Sequence, residues 1–405
     1  MIAAISWRNV WRNRLRSTVI ILAITAGLTG GIFTVAMHNG MIEQKLRTAV
    51  DTQTAHLQIH APAFQKNKDI RLYLGNKEEI LASINSLTTV KAVAPRLVAM
   101  GMAASPNGNT GVQLNGVFPD NEKQVSTIYR SIVEGNYFER DKRNQIVVSS
   151  RLARQLRVGL NGKIVITLQD IHGDIVGAAF RVSGIFKTTH SLFDDANVFV
   201  KKEDLENVVS MQGIVNEIAV RLHDIEDVTQ VQQSLDTHFP PKAADIQSWR
   251  EIQPELAYIN DATWQINYLI LIIILLALAF GILNTMLMAI FERLREIGVL
   301  MAVGMSKARI FWMIILETVF LSLTGATIGM LVSAWLVYTT GTTGINLSMF
   351  AQGLESFGLS SIIYPALEPK FYGILGVMVI IAAMLSALYP AIKALRLNPV
   401  EAIHE

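Results

Sequence analysis

The sequence predicts a membrane α-helical protein with four transmembrane helices and one inserted α+β extracytoplasmic domain, and three observations lead there. Only 17% of the 405 residues are charged and 51% are hydrophobic, against roughly 25% charged in ordinary soluble proteins. The deficit is concentrated in four charge-poor stretches, each long enough to meet the roughly 20 residues a bilayer span requires. Basic residues gather at one set of flanks of those stretches, which fixes an orientation.

Taken in order, residues 1–16 read as an amphipathic helix on the cytoplasmic face of the membrane. Ala3, Ala4, Trp7, Val10, Trp11 and Leu15 fall on one side and Arg8, Asn9, Arg12, Asn13 and Arg16 on the other. Residues 17–50 form the first span and a stalk. Ser17 to Met37 is free of charge, and Met41 to Arg47 keeps helical chemistry beyond it. The apolar core exceeds the 7–15 residues of a signal peptide, and Thr34-Val35-Ala36 is a poor cleavage site, so the segment reads as an uncleaved anchor.

Residues 51–250 form the extracytoplasmic domain, and 251–291 a second stalk running into the second span at Ile266 to Phe291. A short segment, 292–309, leads into the third span at 310–340. A loop at 341–370 precedes the fourth span at 371–392, and 393–405 is a tail. Arg8, Arg12, Arg14 and Arg16, then Arg293, Arg295, Lys307 and Arg309, then Lys393 and Arg396 flank one side, whereas 341–370 holds only Lys370 against Glu355 and Glu368. Both termini and 292–309 are therefore expected in the cytoplasm.

Within the domain, Ala55 to His60 alternates as a strand and Asn76 to Ser86 as an amphipathic helix, with strands at Val90 to Met102 and Gly111 to Phe118. Later come a strand at Ala196 to Val200, a helix at Glu203 to Ser210 and a strand at Glu217 to Leu222. A helix at Val228 to Phe239 and a strand at Ala244 to Trp249 close the domain. The early and late parts share one β/α grammar and are expected to form one subdomain. Residues 120–190, rich in short strands and glycine turns, read as an insert.

Catalytic chemistry is hard to find. There is no cysteine, which excludes disulfides and thiolate metal sites. The one Gly-Lys pair, Gly162-Lys163, is followed by isoleucine and has Arg157 where a phosphate-wrapping loop needs its first glycine. His56 and His60 stand about 13 Å apart along a strand, too far to share a metal, and read as satisfied or solvated histidines. Asp194-Asp195 with His190 reads as a turn. No metal site is expected, and the net charge of +2 is too small to indicate nucleic acid.

Two features stand out instead. Glu317 lies about two turns into the third span, where an ionisable group faces protein or water. It reads either as a polar contact to another span or to the 292–309 segment, or as a carboxylate reaching back to the interface. The 292–309 segment, with Glu292, Arg293, Arg295, Glu296 and Lys307 punctuated by Gly298 and Gly304, is longer than a turn between antiparallel helices needs. It suits a small helix across the membrane face, with the two glycines letting a partner approach.

The chain resembles the permeases of the MacB/FtsX type, a branch of ABC transporters. The start from Trp7 to Ser17 is similar to their amphipathic entry. Glu292 to Gly304 resembles their E-R-x-x-E-I-G-x-x-x-A-x-G coupling segment, and Glu317 falls on the glutamate that follows it. Tyr389-Pro390-Ala391 with Leu397-Asn398-Pro399-Val400-Glu401-Ala402 resembles their C-terminal ending. The resemblance implies two permease copies, identical or related, and a dimer of a separate cytoplasmic ATPase that docks on 292–309 and holds the ATP and Mg. This chain would bind no cofactor and be non-catalytic. The outer domain would comprise a porter part and an inserted sabre part.

Gly116-Val117-Phe118-Pro119-Asp120, Glu134-Gly135, Gly184-Ile185-Phe186 and Asp195 with Val198-Phe199-Val200 look most like the lipoprotein-releasing members. By that resemblance, a lipoprotein or membrane lipid enters between spans one and two of paired copies. Gly27, Gly30 and Gly31 would allow close packing there, and the cargo passes to a periplasmic carrier. Two other readings stand beside it: efflux of a molecule already in the periplasm, and a signal relay to a cell-wall hydrolase or sensor. All three place the chain in the bacterial inner membrane.

Overall fold

The computed structural model describes residues 2–139 and 142–395, apart from the side chain of Gln352. Arg396 and the tail motif Leu397 to Ala402 lie outside the described residues. By its contacts the chain divides into a helical unit (Met1–Ile42, Ala262–Asn346, Ile362–Glu405) and an α/β unit (Glu43–Asp261, Leu347–Ser361).

Six helices build the first unit: α1 (Ile2–Arg12), α2 (Arg14–Ala49), α3 (Pro254–Glu292), α4 (Leu294–Ala302), α5 (Lys307–Thr343) and α6 (Pro369–Leu395). Four of them, α2, α3, α5 and α6, are long and apolar enough to cross a membrane. Their sequences have few polar side chains, and a helix satisfies its backbone groups internally where water is absent. Burial on α6 recurs every fourth residue, at Phe371, Leu375, Val379, Ala383, Ala387 and Ala391, and this stripe packs along α5.

The approach of α5 to α2 is closer still. A Cβ placed on Gly325 would lie 2.9 Å from Ile24 Cβ, and one on Gly329 would lie 3.1 Å from the Thr25 carbonyl. The hydroxyls of Thr25 and Thr29 donate to the carbonyls of Gly325 and Gly329 at 3.1 and 3.2 Å. This is the small-residue packing that apolar helices use where no hydrophobic force drives them together.

The helix expected over residues 2–16 ends at Arg12, and α2 begins at Arg14. Ser17 donates its hydroxyl to the Val10 carbonyl, satisfying one of the acceptors that a helix end leaves open. Ser6 donates to the Met313 carbonyl at 3.1 Å, and Trp7 meets Phe320 edge-on at 5.7 Å. The short first helix is thereby fastened to α5.

The α/β unit contains one hydrogen-bonded sheet of ten strands: β1 (Leu57–His60), β2 (Val90–Ser105), β3 (Gly108–Val117), β4 (Ile132–Gly135), β5 (Gln145–Ser149), β6 (Lys163–Gln169), β7 (Ile175–Phe186), β8 (Asn197–Lys201), β9 (Glu217–Leu222) and β10 (Asp245–Ser248). Their order is β10-β1-β9-β2-β3-β8-β5-β7-β4, with β6 pairing β2 and β7. Two large apolar cores lie on it, with two smaller clusters beside them. The first joins β1, β9 and β10 to the helices Lys77–Asn85 and Val228–His238, which bury Ile80, Ile84, Val231 and Leu235. The second joins β3, β5, β6, β7 and β8.

The division differs from the one expected. Strand β8 and the helix Lys202–Val208, read as part of the early-and-late subdomain, pack with the second core. The reason is the length of β2: its first half pairs with β9 and its second half with β6, so one strand serves both cores. Residues 347–361, expected as loop, belong to the α/β unit. There Glu355 meets Lys187 at 2.8 Å, and the helix Ala351–Ser356 lies beside Ser191–Ala196.

A buried ionic cluster binds the first core to the helix Pro119–Val125. Arg96 on β2 donates to Glu122 at 2.7 and 2.9 Å and to Glu217 on β9 at 2.8 Å. His60 Nε2 on β1 lies 3.3 Å from Glu217. Burial works against the Arg96 charge, but Glu122 and Glu217 overcome it and raise the guanidinium above its ordinary value. Burial likewise opposes ionisation of Glu217, yet the His60 hydrogen bond and Arg96 outweigh it and bring the carboxyl down to about 2.

His56 and His60 thus serve the sheet, His56 Nδ1 accepting from the Leu222 amide at 3.0 Å. Replacing Arg96 by Met leaves two buried carboxylates uncompensated, and the α/β unit is expected to lose about 3–5 kcal/mol of stability in denaturant titrations. The unfolded Glu217 titrates near 4.5 and the folded group at about 2. Its stabilisation is therefore complete above about pH 4.5 and disappears as pH falls through 2, which melting curves at stepped pH will follow.

Candidate functional site

The candidate residues of the 292–309 segment gather on and around α4. Helix α3 ends at Glu292, Arg293 turns the chain, and α4 runs to Ala302. Gly304 then takes φ +97 with open space where a Cβ would stand. Its glycine answers to the backbone conformation. Ile297 and Gly298 face the bundle and are buried, so Gly298 lies on the face turned away from solvent. The outward face carries Arg295, Glu296, Val299, Ala302 and Val303, the last 83% exposed.

Three ion pairs gather at the junction of α3 and α4, one from α4 itself, one from the last residue of α3 and one from the turn between them. Glu296 pairs with Arg12 of α1 at 2.5 Å, and Glu292 pairs with Arg16 of α2. Arg293 donates through Nη1 to Glu317 of α5 at 2.7 Å. Glu317 is only 8% exposed, so its charge depends on that guanidinium. The Arg12 pair is about half exposed and contributes direction more than stability; the Arg293 pair is largely enclosed. Arg295 and Lys307 have no ion pair among the described residues.

Behind α4 lies a cavity of about 610 Å³, walled by Met286, Ile290, Leu300, Met313 and Ile314, with Arg12, Arg293 and Glu317 at its polar side. The arrangement contains no nucleophile–base pair. Its chemistry is mechanical: ion pairs reach from the junction of α3 and α4 to α1, α2 and α5.

Arg12 and Arg16, read from sequence only as basic flank, are site residues. Their spacing of four matches that of Glu292 and Glu296 with opposite sign, and that complementarity was the available signal. Gly27 and Gly31 pack within the chain. A Cβ on them would lie 2.8 Å from Leu278 and 2.7 Å from Ile274 of α3, so they are not free for a neighbouring copy. Gly30 has nothing within 4 Å, because it sits off the Gly27–Gly31 face.

Residues 17–238 match the family model of the MacB-like periplasmic core domain, and residues 268–399 that of the FtsX-like permease C-terminal region. The macrolide export ATP-binding/permease protein MacB of Salmonella typhi is 22% identical over 416 residues, covering 99% of this chain and 60% of that protein. The protein of the same name from Escherichia coli is 22% identical over 410 residues, covering 98% and 59%. The chain spans about 60% of the length of these curated relatives. Among solved structures, the periplasmic region of MacB from Actinobacillus actinomycetemcomitans aligns with a TM-score of 0.37 at 12% identity, over 53% of this chain and 98% of that one. The extracellular domain of the noncanonic ABC-type transporter YknZ from Gram-positive bacteria gives 0.34 at 14% identity, over 48% and 99%.

Removing one side of the enclosed pair tests its role. Arg293→Met strands the Glu317 charge and is expected to cost about 3–5 kcal/mol in the unfolding of the full chain in detergent. Adding Glu317→Gln to the same chain is expected to recover most of that loss. Equal losses in the single and double variants would show that the charge is not what Arg293 compensates.

Proposed function

The chain belongs to the MacB/FtsX-type family of ABC-transporter permeases, and on that premise we propose that α4 is the handle by which a cytoplasmic ATPase dimer moves it. In this reading the chain is a non-catalytic subunit of the inner membrane, paired with a second permease copy. Its termini and the 292–309 segment face the cytoplasm and its α/β unit the periplasm. ATP and Mg stay on the partner.

The observation that carries the reading is the two-sidedness of α4. Its outward face offers exposed apolar and charged side chains, with Val299, Ala302 and Val303 beside Arg295 and Glu296. Its inward side buries Ile297 and Gly298; Glu296 pairs with Arg12 of α1, and the two residues just before α4, Glu292 and Arg293, pair with Arg16 of α2 and Glu317 of α5. A displacement of α4 therefore acts on α1 through Glu296 and, across the Arg293 turn, on the end of α3, where Glu292 pairs with Arg16 near the start of α2. Both helices run unbroken for 36 and 39 residues, so movement at one end is carried along them as rigid levers.

For the cargo, the short motifs shared with lipoprotein-releasing permeases favour extraction of lipoproteins or lipids from the inner membrane for a periplasmic carrier. The macrolide export for which the curated relatives are named favours a second reading, export of such a molecule.

Two measurements test these readings. Glu296→Arg is expected to lower permease-stimulated ATP hydrolysis by about 5–150-fold, the span of a coupling free energy of about 1–3 kcal/mol, while the protein still inserts. Combining it with Arg12→Glu is expected to restore stimulation, which mere misfolding would not permit. Depletion of the chain is expected to retain lipoproteins in the inner membrane. Normal sorting together with raised macrolide sensitivity would replace the lipoprotein reading by the export one.

A further inference from the structure

A second cavity, of about 240 Å³, lies wholly within the α/β unit, where the outer ends of α2 and α3 meet the sheet. Its walls are dominated by side-chain amides: five glutamines (Gln53, Gln58, Gln65, Gln113, Gln253) with Asn115 and Asn197. Such groups are costly to enclose unless they find partners, and several do so among themselves. Lys68 donates to Gln113, Gln113 to Asn115 at 2.9 Å, and Asn115 to Asn197 at 3.1 Å. Gln65 donates to Gln58 at 3.3 Å. Gln53 Nε2 is buried without a partner.

The charges around the cavity cancel. Arg96 with Glu122 and Glu217 sums to one negative charge, and Lys68 supplies one positive charge. An ionic ligand would find no net attraction here. Amides that both donate and accept, with the rings of Phe193 and Phe199 on one wall, instead suit the hydroxyls and apolar faces of a sugar. The volume falls below the roughly 300–1,000 Å³ of drug-sized sites, which limits the ligand to about one ring.

Two of the amides belong to the long helices' own ends. Helix α2 finishes in a π-helical turn, Val50–Thr54, a form frequent at functional sites, and Gln53 lies in that turn. Gln253 directly precedes Pro254, the first residue of α3. Gln253 Nε2 donates to Gln53 Oε1 at 2.7 Å, so an amide contact links the two helix ends across the cavity wall, beside the apolar packing of Val50, Leu256 and Ala257.

We propose that this cavity binds a neutral saccharide unit, and that occupancy is read by both long helices through the Gln53–Gln253 contact. The ligand competes for the amide groups that otherwise bond the helix ends to each other. The site would let the outer unit report its ligand along α2 and α3. This inference stands apart from the ATPase and cargo readings and its test uses neither.

The test uses the full chain in detergent, with N-acetylglucosamine and glucose as neutral probes and inorganic phosphate as the charged control. A saturable rise in melting temperature of about 2–4 °C with a neutral sugar is expected. It should vanish in Gln65→Leu and Gln113→Leu, at half-buried positions where folding is preserved, as circular dichroism will check. No rise with either sugar, an equal rise in the variants, or a rise with phosphate alone overturns the site. The chain has no cysteine, so spin labels at Glu43→Cys and Glu255→Cys report the helix ends cleanly. A sugar-dependent change in their separation supports the coupling, and binding with an unchanged separation overturns it.

Discussion

A carboxylate among apolar helices must have a cation beside it, and the Arg293–Glu317 pair is the constraint around which the basic end of the helical unit is arranged. Glu317 sits on α5 with little exposure, so Arg293 must stay within 2.7 Å. That requirement fixes where α3 ends and where α4 starts. With α4 placed, Glu292 and Glu296 fall opposite Arg16 and Arg12. The Arg293–Glu317 pair, the burial of Ile297 and the Glu296–Arg12 pair together hold a nine-residue helix too short to be stable by itself.

The α/β unit solves a similar problem with different chemistry. Arg96, Glu122, Glu217 and His60 enclose three formal charges in a core, and full hydrogen bonding between Arg96 and the two carboxylates makes that tolerable. The cluster joins three neighbouring strands and one helix, so it specifies their register as well as their contact. Beside it the polarity continues into the amide-lined cavity, and there the Gln53–Gln253 hydrogen bond joins the ends of α2 and α3 beside the apolar packing of Ala49, Val50, Leu256 and Ala257 in the first core. Apolar contact runs along the helices, and directional polar contacts are added at both of their ends. Such a division suits elements that move as units while their end contacts exchange.

Much of the local structure was legible in the residues. Asn76 to Ser86 alternates with helical period and folds as Lys77–Asn85, and the expected Val228 to Phe239 helix spans Val228–His238. Strands at Glu217 to Leu222 and near Ala196 to Val200 follow from short β-branched runs. The allocation of strands to cores was not legible. It depends on β2 pairing with β9 along one half and β6 along the other, and such long-range pairing leaves no periodic mark. The site shows the same limit. Glu292, Arg293, Glu296 and Glu317 are visible as unusual charges, but Gly298 faces inward and Gly304 serves a turn, which only the course of the backbone reveals.

Composition and periodicity by themselves determined that four helices can cross a membrane, because hydrocarbon admits little else and long charge-poor runs are unmistakable. They also determined the two ordinary grammars of helix and strand in the domain between them. Only the tertiary structure decided which arginine meets which glutamate, which glycines lie against a neighbouring helix, and that scattered glutamines converge on one cavity. Those outcomes depend on distances between residues far apart in the chain, and such distances are set when the helices and sheet pack.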